Sequence, residues 1–259
     1  MPLEPSAALL TDRVAVVTGA AVGIGEAIAL AFANFGAHLA VCDRDVENLD
    51  RTADAVEASG RRVVAAELDV READQVEGFL EVVSEEFDHV DVLVNNAGGG
   101  FYAPFLDVNA KGQDSLVREN FLNVTNFVRG IVPLIPEAGG SIVNLTSIEA
   151  HRAAPGYLVY SAMKAAVTSL TKSLALELGD RMIRVNCIAP DVIPTPGVGV
   201  DLARHTPLPR RGHVDDIAAA AVYLASDLGR FVTGTTIHVD GGNLAAGGWR
   251  RTEDGSFTT

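Results

Sequence analysis

The sequence predicts an α/β protein with a doubly wound parallel sheet of about seven strands and helices on both faces. Short apolar, β-branched runs alternate with amphipathic stretches as far as residue 240, and several runs stop at Gly, Asn or Asp. Parallel strands need right-handed crossovers, which place helices on both faces. A Rossmann-like sheet of this kind has the strand order 3-2-1-4-5-6-7. Neither a linker nor a repeat divides the chain, so residues 1–259 are predicted to form a single domain.

Hydrophobic periodicity and turn residues define the elements in order. The predicted strands are residues 13–18, 38–42, 62–67, 90–94, 141–145, 183–188 and 235–239. The predicted helices are residues 24–34, 46–59, 74–87, 115–134 and 215–225, with one more that ends near residue 178. Residues 1–12 and 243–259 are predicted to be tails. Prolines and glycines interrupt residues 190–212, which is typical of a long functional loop.

The composition argues against several functions. A formal net charge of −14 and a pI of about 4.7 oppose nucleic-acid binding, which needs basic surface to neutralise phosphates. The longest apolar runs are shorter than the ~18–20 residues that a membrane span needs. The first residues lack the basic and apolar regions of a signal peptide. We therefore expect a soluble, cytoplasmic protein with no membrane or nucleic-acid partner.

The cysteines and histidines indicate neither a disulfide nor a metal site. Cys42 and Cys187 fall on the second and sixth predicted strands. In the predicted order these strands lie four spacings apart, roughly 19 Å, whereas a disulfide needs Cα atoms within ~7 Å. Both thiols are therefore expected to be free and buried. The histidines show no zinc-binding spacing, so no metal is expected.

A glycine-rich turn joins the first strand to the first helix and contains Gly19, Gly23, Ile24 and Gly25. Glycines permit a tight turn and a close approach of backbone to a pyrophosphate at the helix N-terminus, where N–H groups and the helix dipole favour anions. The spacing is G-x-x-x-G-x-G rather than the commoner G-x-G-x-x-G. The strand–turn–helix context favours dinucleotide binding over a plain helix entry.

Acidic residues at the ends of strands two and three indicate where the adenosine would lie. Asp43 ends strand two, where a carboxylate can accept hydrogen bonds from both ribose hydroxyls and repels a 2′-phosphate. The adjacent Arg44 would favour a 2′-phosphate, so NAD is expected and NADP is less favoured. The alternative for Asp43 is an ordinary turn residue. Asp69 and Val70 either bracket the adenine or form a turn.

A proton-transfer group is indicated in the second half of the chain. Tyr160 and Lys164 are four residues apart on a predicted helix and so share one face. An adjacent ammonium favours phenolate and should lower the pKa of Tyr160 from its ordinary ~10, allowing proton exchange with a substrate oxygen. Ser147, at the end of strand five, could hydrogen-bond the same oxygen. Alone the Tyr/Lys spacing is weak evidence, since solvated helices contain it by chance.

In this order the motifs resemble those of the short-chain dehydrogenase/reductase family, and the resemblance covers residues 13–242. It is carried by Thr18, Gly19, Gly23, Ile24 and Gly25, by Asn95, Asn96, Ala97 and Gly98, by Asn120, by Ser147 with Tyr160 and Lys164, and by Val239, Asp240, Gly241 and Gly242. The resemblance implies a nicotinamide cofactor that exchanges a hydride with a small secondary alcohol or ketone. It also implies a homotetramer.

The resemblance further assigns roles to residues. Tyr160 would be the acid/base, Ser147 would polarise the substrate oxygen, Lys164 would lower the Tyr pKa and bind the nicotinamide ribose, and Asn120 would support a proton path to bulk water. The implied cofactor contacts after strands four and six are Asn96, Ala97, Gly98, Pro190, Val192 and Thr195. The alternatives are a strand-end cap for Ser147 and a buried helix polar group for Asn120.

One departure from the family pattern is Asp191, which follows Pro190 where the family usually has Gly. Glycine would permit a positive φ and close approach to the cofactor, and Asp tolerates that region at some cost. We hypothesise that Asp191 places a carboxylate beside the nicotinamide or the substrate mouth. It would there disfavour anionic substrates and favour the oxidised ring. The alternative is a solvated Asp at a loop edge.

Three further segments bear weakly on the substrate and the assembly. Residues 192–211 resemble the family's substrate lid; its larger side chains, Leu202, His205 and Leu208, suggest a compact or flat apolar alcohol. The side chains that flank the catalytic residues are Glu149, His151 and Tyr157, each read first as scaffold. Trp249, in the C-terminal tail, is either a subunit anchor or part of a frayed end.

Two rival functions stay open at this point. An NADPH-dependent 3-oxoacyl-thioester reductase shares every motif but should carry basic residues near the 2′-phosphate, where only Arg44 is available. A nucleotide-sensing protein that has lost catalysis is the second rival. The complete set of Asn120, Ser147, Tyr160 and Lys164 argues against it.

Overall fold

The computed structural model describes residues 3–196, 206–252 and 256–258. Its strands are β1 Val14–Thr18, β2 His38–Asp43, β3 Val63–Glu67, β4 Val92–Asn95, β5 Gly140–Leu145, β6 Ile183–Pro190, β7 Thr236–Val239, β8 Arg250–Arg251 and β9 Phe257–Thr258. Its α-helices are α1 Gly23–Asn34, α2 Val46–Ala58, α3 Ala73–Glu86, α4 Ala110–Val117, α5 Asn123–Ile131, α6 Leu158–Glu177, α7 Val214–Ala225 and α8 Asn243–Ala246. The helix that carries Tyr160 and Lys164 is α6.

The main sheet confirms the predicted topology. Seven parallel strands follow the order β3-β2-β1-β4-β5-β6-β7. Every residue of the central strands β1 and β4 is buried, as expected for parallel strands covered by helices on both faces. The short strands β8 and β9 form a separate antiparallel pair near the C-terminus.

Helices pack on both faces because alternate strand residues point in opposite directions. On one face Ala15 and Val17 of β1 join a core that includes Phe32 of α1 and Ile217 of α7. On the other face Val16 joins a core around α3 and α5. There the rings of Phe79 and Phe127 meet edge to face with centroids 6.2 Å apart. Packing against both cores supports the strands from either face, and a site on such elements is held more precisely than one on loops alone.

The prediction of one continuous helix over residues 115–134 is wrong, because the structure divides this segment into several helical pieces. The chain forms α4, then a π-helical turn at Arg118–Leu122, then α5 and a short 3₁₀ turn at Val132–Leu134. The π turn contains Asn120, whose side chain bonds a loop outside the helix. Such a long-range contact leaves no mark on the periodicity of the sequence, and π turns often mark functional positions.

Several other boundaries also differ. β6 runs two residues further than predicted, to Pro190. The N-terminal segment is more than a tail, because Leu10 is buried in the core and its N–H donates to the carbonyl of Phe35 at 2.8 Å. Cys42 and Cys187 are buried and free, as expected. The lid residues Leu202 and His205 lie outside the described residues.

The strand order reverses between β1 and β4, so neighbouring crossovers leave on opposite faces and open a crevice at the carboxyl ends of the strands. The loops after β1, β2, β4, β5 and β6 all meet at this edge. Within the described part of the chain, no helix has the length and apolarity to cross a bilayer.

Candidate active site

A cavity of about 1210 Å³ runs along the carboxyl edge of the sheet. Every residue that the sequence assigned to cofactor binding or catalysis lines it, except Asn120. One end lies beside Asp43 and Asp69, and the other holds Ser147, Tyr160 and Lys164. The topology therefore brings the predicted site residues, drawn from the carboxyl ends of six strands and from helix α6, to a single cavity.

The glycine loop lies against the cavity between its two ends. Gly19 and Gly23 have φ of 68° and 70°, which other residues rarely adopt. A Cβ on Gly25 would lie 2.0 Å from the carbonyl oxygen of Gly19, so only glycine fits at that position. Helix α1 begins at Gly23, and Val22 before it provides no side-chain cap. The first-turn N–H groups are therefore free to bind an anion from the cavity.

The segment after β4 forms hydrogen bonds with the start of the glycine loop. The hydroxyl of Thr18 accepts hydrogen bonds from the N–H groups of Asn96 at 3.0 Å and Ala97 at 2.9 Å. The Asn96 side chain in turn donates to the carbonyls of Thr18 and Gly19, both at 2.9 Å. Thr195 closes the other side, because a Cβ on Gly23 would lie 3.0 Å from its methyl carbon. The glycine loop is therefore contacted on one side by the segment after β4 and on the other by Thr195.

At the far end the Asp43 carboxylate is fixed by backbone donors. Oδ2 accepts from the N–H of Ala21 at 3.0 Å, and Oδ1 accepts from the N–H groups of Arg44 at 2.7 Å and Asp45 at 3.1 Å. Oδ2 accepts one hydrogen bond and therefore keeps a second lone pair, whereas Oδ1 already accepts two. Asp43 therefore ties the end of β2 to the glycine loop and still presents acceptor capacity toward the cavity.

Asp69 and Val70 lie beside Asp43 in the cavity wall. Asp69 is paired with Arg71, whose Nε donates to the two carboxylate oxygens at 2.9 and 3.0 Å and whose Nη2 also donates to Oδ2. This hydrogen bonding lowers the pKa of the Asp69 carboxyl. The Arg71 guanidinium also donates to Ser115 at 3.1 Å. The turn after β3 is therefore held by an ion pair that the sequence reasoning missed.

The catalytic end centres on α6. Tyr160 and Lys164 share one face as predicted, with Nζ of Lys164 5.6 Å from the centroid of the Tyr160 ring. Lys164 is 4% exposed and donates to the carbonyl of Leu145 at 2.9 Å. Ser147 begins a 3₁₀ turn after β5, and its hydroxyl accepts from the N–H of Glu149 at 3.2 Å. Ser147 thus both caps the turn after β5 and lines the cavity, so the two roles considered for it are compatible.

The pKa shifts at this end correct one expectation. Burial raises the pKa of Tyr160; a hydrogen bond with Ser147 offsets this in part, and the charge of Glu149 adds to it. Burial lowers the pKa of Lys164 to about 8. The expected lowering of the Tyr160 pKa by Lys164 is therefore wrong for the protein without ligands. The physical reason is that Nζ is turned to the Leu145 carbonyl while burial penalises the phenolate.

Asn120 lies behind the cavity wall and is fully buried. Its Nδ2 donates to the carbonyls of Gly99 at 2.8 Å and Leu116 at 3.0 Å, and its Oδ1 accepts from the N–H of Gly99 at 3.1 Å. A Cβ on Gly98 would lie 2.9 Å from this Oδ1 and 3.0 Å from Nζ of Lys164. Asn120 and Lys164 therefore approach each other across Gly98, which has no room for a side chain.

Asp191 lines the cavity directly after β6. Asp191 does not adopt the left-handed region that a glycine would permit, because the non-glycine residues with positive φ among those described are Asp12 and Met182. Instead, Oδ2 of Asp191 accepts a hydrogen bond from Nδ2 of Asn243 at 2.8 Å. The carboxylate is thus anchored by a residue 52 positions along the chain rather than solvated at a loop edge.

Other residues complete the substrate end. Glu149 and Tyr157 line the cavity, whereas His151 packs against His238 with ring centroids 4.7 Å apart. The sequence reasoning missed Phe101, Glu119 and Arg152, which also line it. Two signals were present in the sequence: Glu119 is next to Asn120, and Arg152 follows Glu149 at a spacing that allows an ion pair. Phe101 carried no signal beyond the glycines before it.

The site fits a nicotinamide dinucleotide. The uncapped start of α1 suits a pyrophosphate, the fixed carboxylate of Asp43 suits a ribose diol, and the cavity extends from there to the phenol of Tyr160. A phenol, a hydroxyl and an ammonium around one substrate position can handle a proton on an oxygen atom. The fold and site thus define a dinucleotide-dependent oxidoreductase of the doubly wound α/β class.

Comparison with known proteins agrees with this class. A family model described as enoyl-(acyl carrier protein) reductase matches residues 19–243. The chain is 38% identical over 241 residues to the 3-oxoacyl-[acyl-carrier-protein] reductase FabG of Thermotoga maritima, a match that covers 90% of this chain and 98% of the relative. The chain belongs to the short-chain dehydrogenase/reductase family and is an oxidoreductase that uses a nicotinamide cofactor.

Solved structures show the same relationship. A 7α-hydroxysteroid dehydrogenase complexed with NADH and 7-oxo-glycochenodeoxycholic acid superposes with a TM-score of 0.88 at 30% identity, covering 93% of this chain and 98% of that one. Carveol dehydrogenase from Mycobacterium avium, in complex with NAD, superposes with a TM-score of 0.86 at 29% identity, covering 91% and 99%.

Proposed function

We propose that this protein transfers a hydride between NAD and the carbinol carbon of a small secondary alcohol or ketone, with Tyr160 as the acid/base. The observation that carries the proposal is the meeting of Tyr160, Ser147 and Lys164 at one end of a cavity whose other wall is the glycine loop. In the oxidative direction the phenolate of Tyr160 would accept the proton of the substrate hydroxyl, and in the reductive direction the phenol would return a proton to the carbonyl oxygen.

The residues divide the work as follows. Bound nicotinamide supplies the hydride acceptor or donor. Tyr160 takes the proton from the substrate hydroxyl or returns it to the carbonyl oxygen, and Ser147 donates a hydrogen bond to that oxygen. Lys164 holds the nicotinamide ribose and offsets the burial that opposes phenolate at Tyr160. Asn120 holds the wall at Gly99 and supports the path by which the proton reaches bulk water.

The preference for NAD rests on Asp43. Three backbone N–H groups hold its carboxylate beside the loop, so it cannot turn away from a 2′-phosphate. A fixed negative charge there repels NADP and accepts hydrogen bonds from an unmodified ribose. Arg44 lines the same end, and its charge is the smallest of the contributions that lower the pKa of the Asp69 carboxyl.

An NADPH-dependent 3-oxoacyl-thioester reductase is the second function we consider. It is favoured by the resemblance to the FabG protein of Thermotoga maritima and by Arg44 in the cavity wall. The fixed Asp43 carboxylate opposes it. A catalytically silent nucleotide sensor is disfavoured, because the buried Lys164 and the phenol of Tyr160 would have no evident purpose in such a protein.

Several further features belong to the same proposal. We place the whole chain in one dinucleotide-binding and catalytic domain, with residues 190–212 as the substrate lid, and we expect a cytoplasmic homotetramer with neither membrane nor nucleic-acid partners. Large exposed apolar side chains support self-association; they include Tyr102, Phe105, Leu106 and Trp249.

One experiment tests both the chemistry and the cofactor. Secondary alcohols and ketones, including hydroxyacyl and oxoacyl thioesters, are assayed with each cofactor on the wild type, on Tyr160→Phe and on the distant control Tyr223→Phe. We expect turnover of an alcohol or ketone with a preference for NAD(H), a fall of about 10²–10⁴-fold in Tyr160→Phe, and none in the control. Full activity in Tyr160→Phe would refute its role. Preferred NADPH turnover of thioesters would support the second function instead.

A further inference from the structure

We propose that Asp191 is a specificity-determining residue: it accepts a hydrogen bond from a second hydroxyl group of a neutral substrate and discriminates against substrates that carry a carboxylate. The inference rests on the proposed function, because it concerns the substrate end of the same cavity. It names the substrate class as diols and hydroxyketones.

The Asp191 carboxylate is held in a defined orientation. Oδ2 accepts from Nδ2 of Asn243 at 2.8 Å, and the backbone N–H of Asp191 lies 3.4 Å from the carbonyl of Val239. Asn243 is itself held by the turn after β7, where Asp240 accepts from the N–H groups of Gly242 at 2.9 Å and Leu244 at 2.8 Å. A carboxylate has about four acceptor positions, so this anchoring leaves capacity for a donor in the cavity.

The Arg152 guanidinium, which lies near Asp191, is already paired with the carboxylate of Glu149. Arg152 pairs with Glu149 through Nη2 to Oε1 at 2.6 Å and through Nε to the two carboxylate oxygens at 3.2 Å each. The pKa of Arg152 is raised, chiefly by the hydrogen bonds to Glu149, with smaller electrostatic contributions from Asp191 and Asp240. Asp191 therefore lies close enough to Arg152 to feel its charge, while the guanidinium is already committed to Glu149.

These three side chains all line the substrate end of the cavity and together carry one net negative charge when ionised. A substrate carboxylate would have to displace Glu149 from Arg152 while approaching Asp191, so like-charge repulsion and a broken bidentate pair both oppose it. Lys164, a further cation, is directed to the carbonyl of Leu145 behind Tyr160. A neutral hydroxyl meets no such penalty and gains a charge-assisted hydrogen bond.

The test compares three substrates on one ring: cyclohexane-1,2-diol, cyclohexanol and 2-hydroxycyclohexanecarboxylate. Each is assayed with NAD on the wild type, on the isosteric Asp191→Asn, on Asp191→Gly and on the control Asp180→Asn, which is exposed and distant. We expect the wild type to prefer the diol by at least tenfold in kcat/KM over both other substrates. Asp191→Asn should reduce the preference over the carboxylate at least tenfold, mainly through KM, and Asp180→Asn should retain it.

Asn243→Ala provides a second variant that keeps the charge and removes the anchor. If Asn243 positions Asp191, the preference for the diol over cyclohexanol should fall while the discrimination against the carboxylate persists. If Asn243 merely supports the fold, we do not expect Asn243→Ala to lose the preference over cyclohexanol and keep the discrimination against the carboxylate.

Two results would overturn the inference: a wild type that prefers the carboxylate or shows no preference, or an Asp191→Asn variant with unchanged preference. In the second case, a changed NAD⁺/NADH affinity ratio in Asp191→Asn would assign Asp191 to the nicotinamide. These results differ from a failure of the proposed function, which would appear as undiminished turnover in Tyr160→Phe.

Discussion

Tyr160 and Lys164 lie about one helical turn apart, and burial favours the neutral form of both side chains. It raises the pKa of Tyr160 and lowers the pKa of Lys164. The phenol stays neutral near neutral pH, but desolvation of the Lys164 ammonium opposes folding unless a ligand compensates. The ammonium currently donates to the Leu145 carbonyl. The site therefore carries a buried cation whose favourable partner, by our proposal, arrives with the cofactor ribose.

The first prediction concerns this buried cation. The pKa of Lys164 is lowered from 10.5 to about 8, so near neutral pH the folded state must keep a charge that burial disfavours. Between these two pKa values the unfolded chain binds the extra proton, so stability rises with pH as the folded-state cost is removed. Lys164→Met removes this dependence. We expect its stability relative to wild type to fall by about 2 kcal/mol between about pH 7 and about pH 9.5.

The measurement is urea unfolding of both proteins without cofactor at the two pH values. Lys172→Met, an exposed position on the same helix, is the matched control and should show no such pH-dependent difference. A constant difference between wild type and Lys164→Met would mean that the Lys164 pKa is not displaced into this range.

At the scale of elements, the turn from β1 into α1 depends on close backbone packing. A Cβ on Gly25 would lie 2.0 Å from the Gly19 carbonyl oxygen and 2.5 Å from the Asn96 side-chain nitrogen. The same Asn96 nitrogen bonds the carbonyls of Thr18 and Gly19. A side chain at position 25 therefore disturbs the loop and its brace together.

The next prediction follows from this packing. Gly25→Ala should cost about 1–3 kcal/mol of stability through overpacking, and it should weaken NADH binding at least tenfold because the loop N–H groups are displaced. Gly179→Ala is the control, since a Cβ there meets nothing within 4 Å and its φ is not positive. Urea unfolding and NADH fluorescence titration measure the two effects. Wild-type affinity in Gly25→Ala would show that the loop does not form the pyrophosphate site.

The π turn is the element that sequence reasoning could not anticipate. Residues 115–134 were predicted as one helix, and the register change occurs where Asn120 bonds the backbone of Gly99, 21 residues earlier. The sequence did identify Asn120 through its match to a family motif. It did not reveal that the Asn120 side chain forms hydrogen bonds with the backbone of Gly99 and Leu116.

At the scale of the whole molecule, association of subunits has to overcome the repulsion between their net negative charges. Each chain carries a formal net charge of −14, and like-charged subunits repel one another, most strongly when little salt screens them. Exposed apolar side chains, among them Phe105 at 56%, Leu106 at 92% and Trp249 at 56%, oppose this repulsion if they are covered by other subunits.

We therefore predict a mass of four times 27.2 kDa in solution, with the tetramer fraction rising as salt is increased. Light scattering of dilute protein at low and at near-physiological ionic strength measures this. A monomer at both ionic strengths would contradict the homotetramer, and a tetramer that dissociates on adding salt would show that ion pairs rather than apolar contacts hold the subunits together.

The sequence alone predicted the parallel sheet, its strand order, the glycine loop and a set of site residues that line the cavity, with Asn120 behind its wall. These features depend on local periodicity, on glycine conformations and on ordered motifs, all of which are written along the chain. Asp43, Ser147, Tyr160 and Lys164 could be named for that reason.

Only the tertiary structure decided how Asp191, Arg152 and Asn120 are used. Asp191 is anchored by Asn243 across 52 positions, and the charge of Arg152 is taken up by Glu149. The pKa of Tyr160 moved opposite to the expectation because burial, which no spacing reveals, raises it more than the hydrogen bond with Ser147 lowers it. Hydrogen-bond partners and desolvation are set by contacts between distant segments, so they become known only when the chain is folded.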